Sequence, residues 1–85
     1  MENLKVYVDV AATFSREGML IPMWIIWENG KKYPIDKVKD CARMANRKAG
    51  GAGIRYLCSV GGHDVELFYE ENYKWFLTRN TAYKG

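Results

Sequence analysis

Few residues in this chain are suited to acid–base or nucleophilic chemistry, and they are scattered. The single histidine, His63, precedes Asp64. Neighbouring strand residues point to opposite faces, so the two do not form an orienting pair, and no Ser or Cys is placed to act as their nucleophile. Glu66, Glu70 and Glu71 are possible paired acids, but the last two fall at a predicted turn, where carboxylates are usually solvated. We expect no catalytic residue and no enzyme activity.

The sulfur and glycine patterns also lack the spacing of known cofactor sites. Cys41, Cys58 and His63 do not make a four-ligand zinc site without help from carboxylates. We therefore expect both thiols to be buried, reduced and inert, with no metal bound. The glycine-rich segment 50–53 lacks the Lys-Ser/Thr ending and the spacing of a phosphate-binding loop. No cofactor and no small-molecule substrate are expected.

Length and hydropathy limit the architecture to one small domain. The chain has 85 residues and a formal charge of +3, so it buries a single core, and residues 1–85 form one domain. The longest apolar stretch, Met19 to Trp27, is interrupted at Pro22 and is too short to span a membrane. The N-terminus shows no signal-peptide pattern. We expect a cytoplasmic protein with no membrane partner.

Alternation of apolar and polar residues predicts strands in the first third of the chain. It begins with Leu4, Val6, Val8 and Val10, a period-2 pattern with one wet face. A turn over residues 15–18 follows, with Gly18 at positive φ. Residues 19–27 are strand-like, and Pro22 within them indicates an edge or a bulge.

The Asn29-Gly30 pair favours a two-residue type I′ hairpin. In this register Trp27 is opposite Lys32 and Ile26 is opposite Tyr33. Trp24 is then opposite Ile35. The prediction places four side chains on one face, Trp24, Ile26, Tyr33 and Ile35.

Two further hairpins are predicted in the C-terminal half. A two-residue loop at Gly61-Gly62 pairs Cys58 with Val65, Tyr56 with Leu67, Ile54 with Tyr69 and Arg55 with Phe68. A tight turn at Glu71-Asn72 sets Phe76 beside Leu67 and Trp75 beside Phe68. The predicted inner face is Ile54, Tyr56, Cys58, Val60, Val65, Leu67 and Phe76.

The fold class depends on the segment from Asp36 to Lys48. As a helix it has Asp36 as N-cap and Gly50 past its end, with a stripe of small residues. As a strand it continues the Asn-Gly hairpin without a break. The strand interpretation gives an all-β fold, a small SH3-like barrel or an antiparallel meander of five to six strands. The alternative is an α+β fold with one helix near residues 37–48.

Three stretches, residues 27–38, 48–56 and 67–77 in part, resemble a small uncharacterised family of bacterial proteins. They include Trp27-Glu28-Asn29-Gly30-Lys31, Gly50-Gly51-Ala52-Gly53-Ile54, Leu67-Phe68-Tyr69-Glu70 and Trp75-Phe76-Leu77. The resemblance implies a compact, mainly β protein and favours strand for residues 31–40. It implies no activity, cofactor or catalytic residue.

Charge is unevenly distributed along the chain. Residues 36–55 carry a local charge of +4, whereas residues 63–72 carry −4. A basic segment beside a glycine-rich loop is able to bind phosphate groups. The candidate nucleic-acid residues are Arg43, Arg47, Lys48 and Arg55. Alternatively, these cations are only the solvated side of the segment.

The outer face of the predicted C-terminal meander is a second candidate surface. Its alternation leaves an apolar patch of Leu57, Phe68, Trp75 and Leu77 beside Arg55. Such a patch usually marks an interface. It is also suited to stacking with nucleic-acid bases. Alternatively, another segment of the chain covers it. We expect a binding module for protein–protein interaction or self-association. The alternative is a nucleic-acid-binding small barrel.

Overall fold

The protein is all-β. The computed structural model describes residues 3–46 and 51–80, and in them seven strands form one curled antiparallel sheet in the order β3-β2-β1-β7-β6-β5-β4. The strands are β1 (Asn3–Phe14), β2 (Leu20–Ile26), β3 (Lys32–Pro34), β4 (Lys37–Asn46), β5 (Gly51–Val60), β6 (His63–Glu70) and β7 (Trp75–Asn80).

The strand interpretation of the ambiguous segment is confirmed, and the helical alternative is wrong over Lys37–Asn46. Pairing with β5 overrides the good helix propensity of this stretch, since tertiary context outweighs a weak local preference. The count of seven strands exceeds the five to six expected because the strand that follows the Asn-Gly turn is interrupted. It forms β3 and β4 on either side of Ile35 and Asp36.

That interruption gives the sheet its curl. The Ile35 N–H donates to the Met23 carbonyl oxygen on β2, and the next N–H, of Asp36, donates to the Ser59 oxygen on β5. The chain therefore leaves one end of the sheet and joins the other within two residues. The two terminal strands, β3 and β4, are brought together at this point.

β1 also changes its partner halfway along its length. Its residues Asn3 to Val8 pair with β7, and its residues Asp9 to Phe14 pair with β2. Residue 15 begins the predicted turn, in which Gly18 has φ +86°. A glycine adopts this left-handed conformation without steric cost.

The core lies on the concave side, called here the inner face. Tyr56, Cys58 and Leu67 are almost completely buried there, together with Ile25 and Trp75. Valines of β1 and the side chains of Ile54, Tyr69 and Leu77 surround them. The opposite side, which carries Arg55 and Phe68, is called the outer face.

The β5–β6 hairpin has the predicted register. Cys58 pairs with Val65, Tyr56 with Leu67, Ile54 with Tyr69 and Arg55 with Phe68. Gly61 and Gly62 both have positive φ, as a type I′ turn requires. The alternation in this hairpin is uninterrupted, so the residue pattern alone was sufficient to determine it.

The predicted register of the Asn-Gly hairpin is wrong by one residue. Ile25 pairs with Tyr33 and Trp24 pairs with Pro34. The Trp27 N–H donates to the Lys31 oxygen, and the Gly30 N–H donates to the Trp27 oxygen. The loop is therefore three residues long, with Gly30 at φ +84°. A type I turn followed by a left-handed residue competes with type I′ at such sequences. The predicted common face of Trp24, Ile26, Tyr33 and Ile35 is therefore wrong.

A bulge in β2 adds a second change of alternation. Ala11 pairs with Trp24 and Ala12 pairs with Pro22, so Met23 is the extra residue. The sequence indicated an edge or bulge at Pro22, and the bulge is confirmed. Because of it, Pro22 and Ile25 are both buried, while Met23 and Trp24 between them are both exposed.

The predicted register of the last hairpin is also wrong by one residue. Phe68 pairs with Phe76, and Tyr69 pairs with Trp75. The loop has three residues, and its last, Tyr73, has φ +69° although it is not a glycine. The extra loop residue exchanges the two faces of β7. Phe76 therefore lies on the outer face, and Trp75 belongs to the inner core.

Candidate interaction surface

The structure divides the four predicted interface residues between the two faces. Trp75 is 8% exposed and lies in the inner core, against which Leu77 also packs. Their predicted place on the outer patch is therefore wrong, for the reason given by the β6–β7 register. Leu57 and Phe68 are on the outer face, and both are partly buried.

Phe76 takes the place of Trp75 on the outer face and is already covered. Its ring stacks on Phe68 at a centroid distance of 4.9 Å and meets Tyr7 edge-on at 5.9 Å. The Lys5 ammonium lies 4.7 Å from the ring centroid. Phe76 is only 2% exposed. This outer cluster is a second small core that neighbouring side chains close.

An ion pair fixes the cover over the outer cluster. Lys5 Nζ lies 2.8 Å from Glu70 Oε2, and the Tyr7 hydroxyl donates to Glu70 Oε1 at 3.0 Å. The hydrogen bond from Lys5 lowers the pKa of Glu70 below its ordinary value, and the same bond raises the pKa of Lys5. Both groups are therefore held in their charged forms.

The candidate nucleic-acid residues do not form a common basic surface in the described part of the chain. Arg43 is exposed on β4. Arg55 lies beside two carboxylates, with its Nε 2.5 Å from Glu66 Oε2 and a terminal nitrogen 3.8 Å from Asp40 Oδ2. Arg47 and Lys48 lie outside the described residues, as does Gly50, whereas Gly51, Ala52 and Gly53 begin β5.

The sequence's positive and negative segments face each other in the sheet. Besides the Arg55–Glu66 pair, Lys39 Nζ lies 2.9 Å from Asp64 Oδ1. Both pairs join the basic segment to the acidic strand β6. Because these cations are paired with carboxylates, the surface attracts a phosphate backbone less strongly.

Exposed apolar side chains are found instead on β1, β2 and β3. Met23 is 45% exposed and Trp24 is 43% exposed. By strand pairing, Trp24 lies between Ala11 on one side and Pro34 on the other, and both of these are exposed too. We call Ala11, Met23, Trp24 and Pro34 the bulge surface. Met23 and Trp24 are far more exposed than Phe76, which is 2% exposed.

The sequence interpretation missed this surface because it grouped Trp24 with Ile26, Tyr33 and Ile35 on one face and did not single that face out as exposed. Two signals were available. Pro22 indicated a bulge, and a bulge reverses the faces of everything that follows it in the strand. The loop sequence Glu28-Asn29-Gly30 also suits a three-residue turn with glycine at its left-handed position.

The two thiols differ in their surroundings. Cys58 is fully buried, and burial raises its pKa to about 11, so it remains a protonated and unreactive thiol. Cys41 is exposed, so its predicted burial is wrong. The bulge between Val38 and Asp40 precedes it on the terminal strand β4, which has only one neighbour. Both cysteines are free.

The described residues show no arrangement typical of a metal or membrane site. Among residues 3–46 and 51–80, no three His, Cys, Asp or Glu side chains are grouped so that they could share a metal ion. The same ranges contain no helix with the length and hydropathy needed to cross a membrane. His63 is exposed at the β5–β6 turn.

Comparisons with protein-family models, curated proteins and solved structures found no match to this chain.

Proposed function

We propose that this chain is a small binding module that acts through protein–protein interaction or self-association and has no catalytic role. The observation that carries the proposal is the bulge surface, where a tryptophan and a methionine are exposed side by side. Large apolar side chains are costly to leave in water, and contiguous exposed groups usually mark interfaces. Tryptophan is also among the residues that contribute most to binding when an interface buries it.

The outer cluster around Phe76 supports the same proposal, because its apolar side chains are covered whereas those of the bulge surface are exposed. On the outer face Phe76 stacks on Phe68, and Lys5 and Tyr7 cover the Phe76 ring. Glu70 holds both covering side chains in place. The fold therefore buries apolar groups where its own side chains reach them. The bulge surface is left more exposed, which is expected if a partner covers it.

Nucleic-acid binding is the weaker alternative. Its aromatic platform required Arg55 over Phe68 or Trp75, but Arg55 is beside Glu66 and Asp40, and Trp75 is on the inner face. We further propose a cytoplasmic location and a small SH3-like barrel. Both remain predictions.

The experiment is affinity capture from a lysate with three forms of the chain. The forms are the wild type, Trp24→Ala, and Met44→Ala, which removes an equally exposed apolar side chain elsewhere. We expect a defined set of proteins to resist nuclease, persist with Met44→Ala and fall at least about tenfold with Trp24→Ala. Material lost on nuclease treatment and with Arg43→Ala would instead support the nucleic-acid alternative.

A further inference from the structure

The second half of β1 has a free backbone edge. β7 begins at Trp75, opposite Val8, so residues 9–14 have β2 on one side and no described strand on the other. The Ser15 N–H donates toward β2, to the Met19 oxygen. Backbone groups alternate in direction along a strand. The N–H and C=O groups that face the free side are therefore those of Val10, Ala12 and Phe14.

Three other free edges in the described sheet, those of β2, β3 and β4, carry features that discourage strand pairing. β3 has three residues and includes Lys32 and Pro34. The outer edge of β4 carries a bulge and Lys39, and β2 contains Pro22. Short length, lysine, proline and bulges all hinder the addition of another strand.

The free half of β1 has none of these features. Its sequence from Asp9 to Phe14 contains one charged residue, no proline and two adjacent alanines. The bulge in this region belongs to β2, where Met23 is the extra residue, so β1 itself is regular. An exposed regular edge of this kind is a template for a further strand.

We propose that two copies of this chain pair through this edge, antiparallel, about a twofold axis at Ala12. The inference rests on the proposed interaction function and specifies one partner for it, a second copy. In this register Ala12 faces Ala12 of the second copy, and Val10 faces its Phe14. About six backbone hydrogen bonds form, two for each hydrogen-bonded pair.

Charge and size make the edge complementary to itself. Asp9 is the one charged residue of the segment. Antiparallel pairing about Ala12 separates the two Asp9 side chains by six residues, about 20 Å. At this distance physiological salt screens the repulsion between the two carboxylates. The alanines at the axis present no bulk to each other. A twofold interface of this kind uses the same patch on both copies.

A pocket beside the edge accounts for Phe14. It has a volume of about 610 Å³ and is lined in part by Val8, Val10 and Tyr73. Phe14 is 70% exposed and Tyr73 is 81% exposed. The proposed register places Phe14 of the second copy next to Val10, at this pocket. Burial there would also stabilise Tyr73, which holds an unfavourable positive φ.

Sedimentation of purified protein over a wide concentration range, up to about 1 mM, tests the dimer. We expect reversible dimerisation of the wild type. Ala12→Pro removes an N–H from the free side and should raise the dissociation constant at least about tenfold. Phe14→Ala should also weaken the dimer. Trp24→Ala, on the bulge surface, should leave it unchanged.

Disulfide trapping tests the register without relying on the proline variant. In a Cys41→Ser background, Ala12→Cys should form an intermolecular disulfide under oxidised glutathione, because hydrogen-bonded partners lie about 5.5 Å apart between Cα atoms. Ala11→Cys is the matched control. It faces Thr13 of the second copy and should cross-link much less.

Each outcome separates this inference from the proposed function. A wild type that stays monomeric throughout the range, or an Ala11→Cys cross-link as strong as that of Ala12→Cys, overturns the β1 pairing. Neither result affects binding of other proteins at Trp24, which the capture experiment measures. A dimer that survives Ala12→Pro and is lost with Trp24→Ala also overturns the β1 pairing and assigns self-association to the bulge surface.

Discussion

The Tyr56 hydroxyl donates a hydrogen bond of 2.6 Å to the main-chain oxygen of Leu20. Tyr56 lies on β5 and Leu20 begins β2, two strands that are not neighbours in the sheet. Burial raises the pKa of Tyr56 to about 12, so the hydroxyl keeps its proton at neutral pH. The bond joins the two ends of the curled sheet across the inner face.

Tyr56→Phe should therefore destabilise the fold while keeping the core packed. The variant loses one partly buried hydrogen bond and leaves the Leu20 oxygen without its donor, at a cost of about 1 kcal/mol. Urea unfolding measures this directly. Tyr7→Phe, which removes an exposed hydrogen bond, should cost less. Equal effects of the two variants would contradict the inference that the Tyr56 hydrogen bond stabilises the curled sheet by joining its two ends.

Two tryptophans should respond in opposite ways to truncation. Trp75→Ala removes a buried aromatic that packs on Tyr56 and Tyr69, and should cost about 3 to 5 kcal/mol. Trp24→Ala, on the exposed bulge surface, should change the free energy of unfolding by about 0.5 kcal/mol or less. Thermal or urea unfolding of both variants checks this. A larger cost at Trp24 would mean that the β2 register is wrong.

Gly53 should not tolerate even a methyl group. A Cβ at this position would lie 2.2 Å from the backbone oxygen of Tyr69. A backbone atom cannot move aside as a flexible side chain can. Gly53→Ala should cost about 2 kcal/mol or more, because the β5–β6 pairing must shift. Gly30→Ala is the control. It has positive φ but open space, and should cost about 1 kcal/mol. A smaller effect at Gly53 than at Gly30 would contradict the close approach.

The Lys5–Glu70 pair should give stability that depends on acid pH. Glu70 has a lowered pKa in the folded state, so its contribution is complete above the ordinary value of 4.5 and is lost as pH falls through the lowered value. Glu70→Gln should reduce the melting temperature at pH 7, and the difference from wild type should shrink on acidification below that window. Glu71→Gln, in the adjacent turn, should show no such convergence. A difference that is constant with pH would exclude the ion pair as its source.

Local patterns were sufficient for the strands and for one hairpin. The Gly61-Gly62 loop and the alternation of β5 and β6 led to the observed pairs, including Tyr56 with Leu67. The strand at Lys37–Asn46 was less secure, because its residues favour helix. The absence of a turn after the preceding strand and the family resemblance together favoured strand for residues 31–40.

The candidate surface was not predictable in the same way, because it depends on loop length. A two-residue and a three-residue loop differ by one residue, yet that difference exchanges the two faces of the strand that follows. This exchange moved Trp75 inside and Phe76 outside. At Trp24 the Met23 bulge sets the face and the three-residue loop sets the β3 partner, Pro34, and periodicity alone predicts neither.

Site-specific photocross-linking in cells tests the interaction proposal most directly. A photoreactive phenylalanine analogue would replace Trp24 in one sample and Met44 in another, both exposed positions. We predict discrete protein adducts from position 24, either with another protein or with a second copy, and few from position 44. Adducts from position 44 alone, adducts only with nucleic acid, or none from position 24 would contradict an interaction function at the bulge surface.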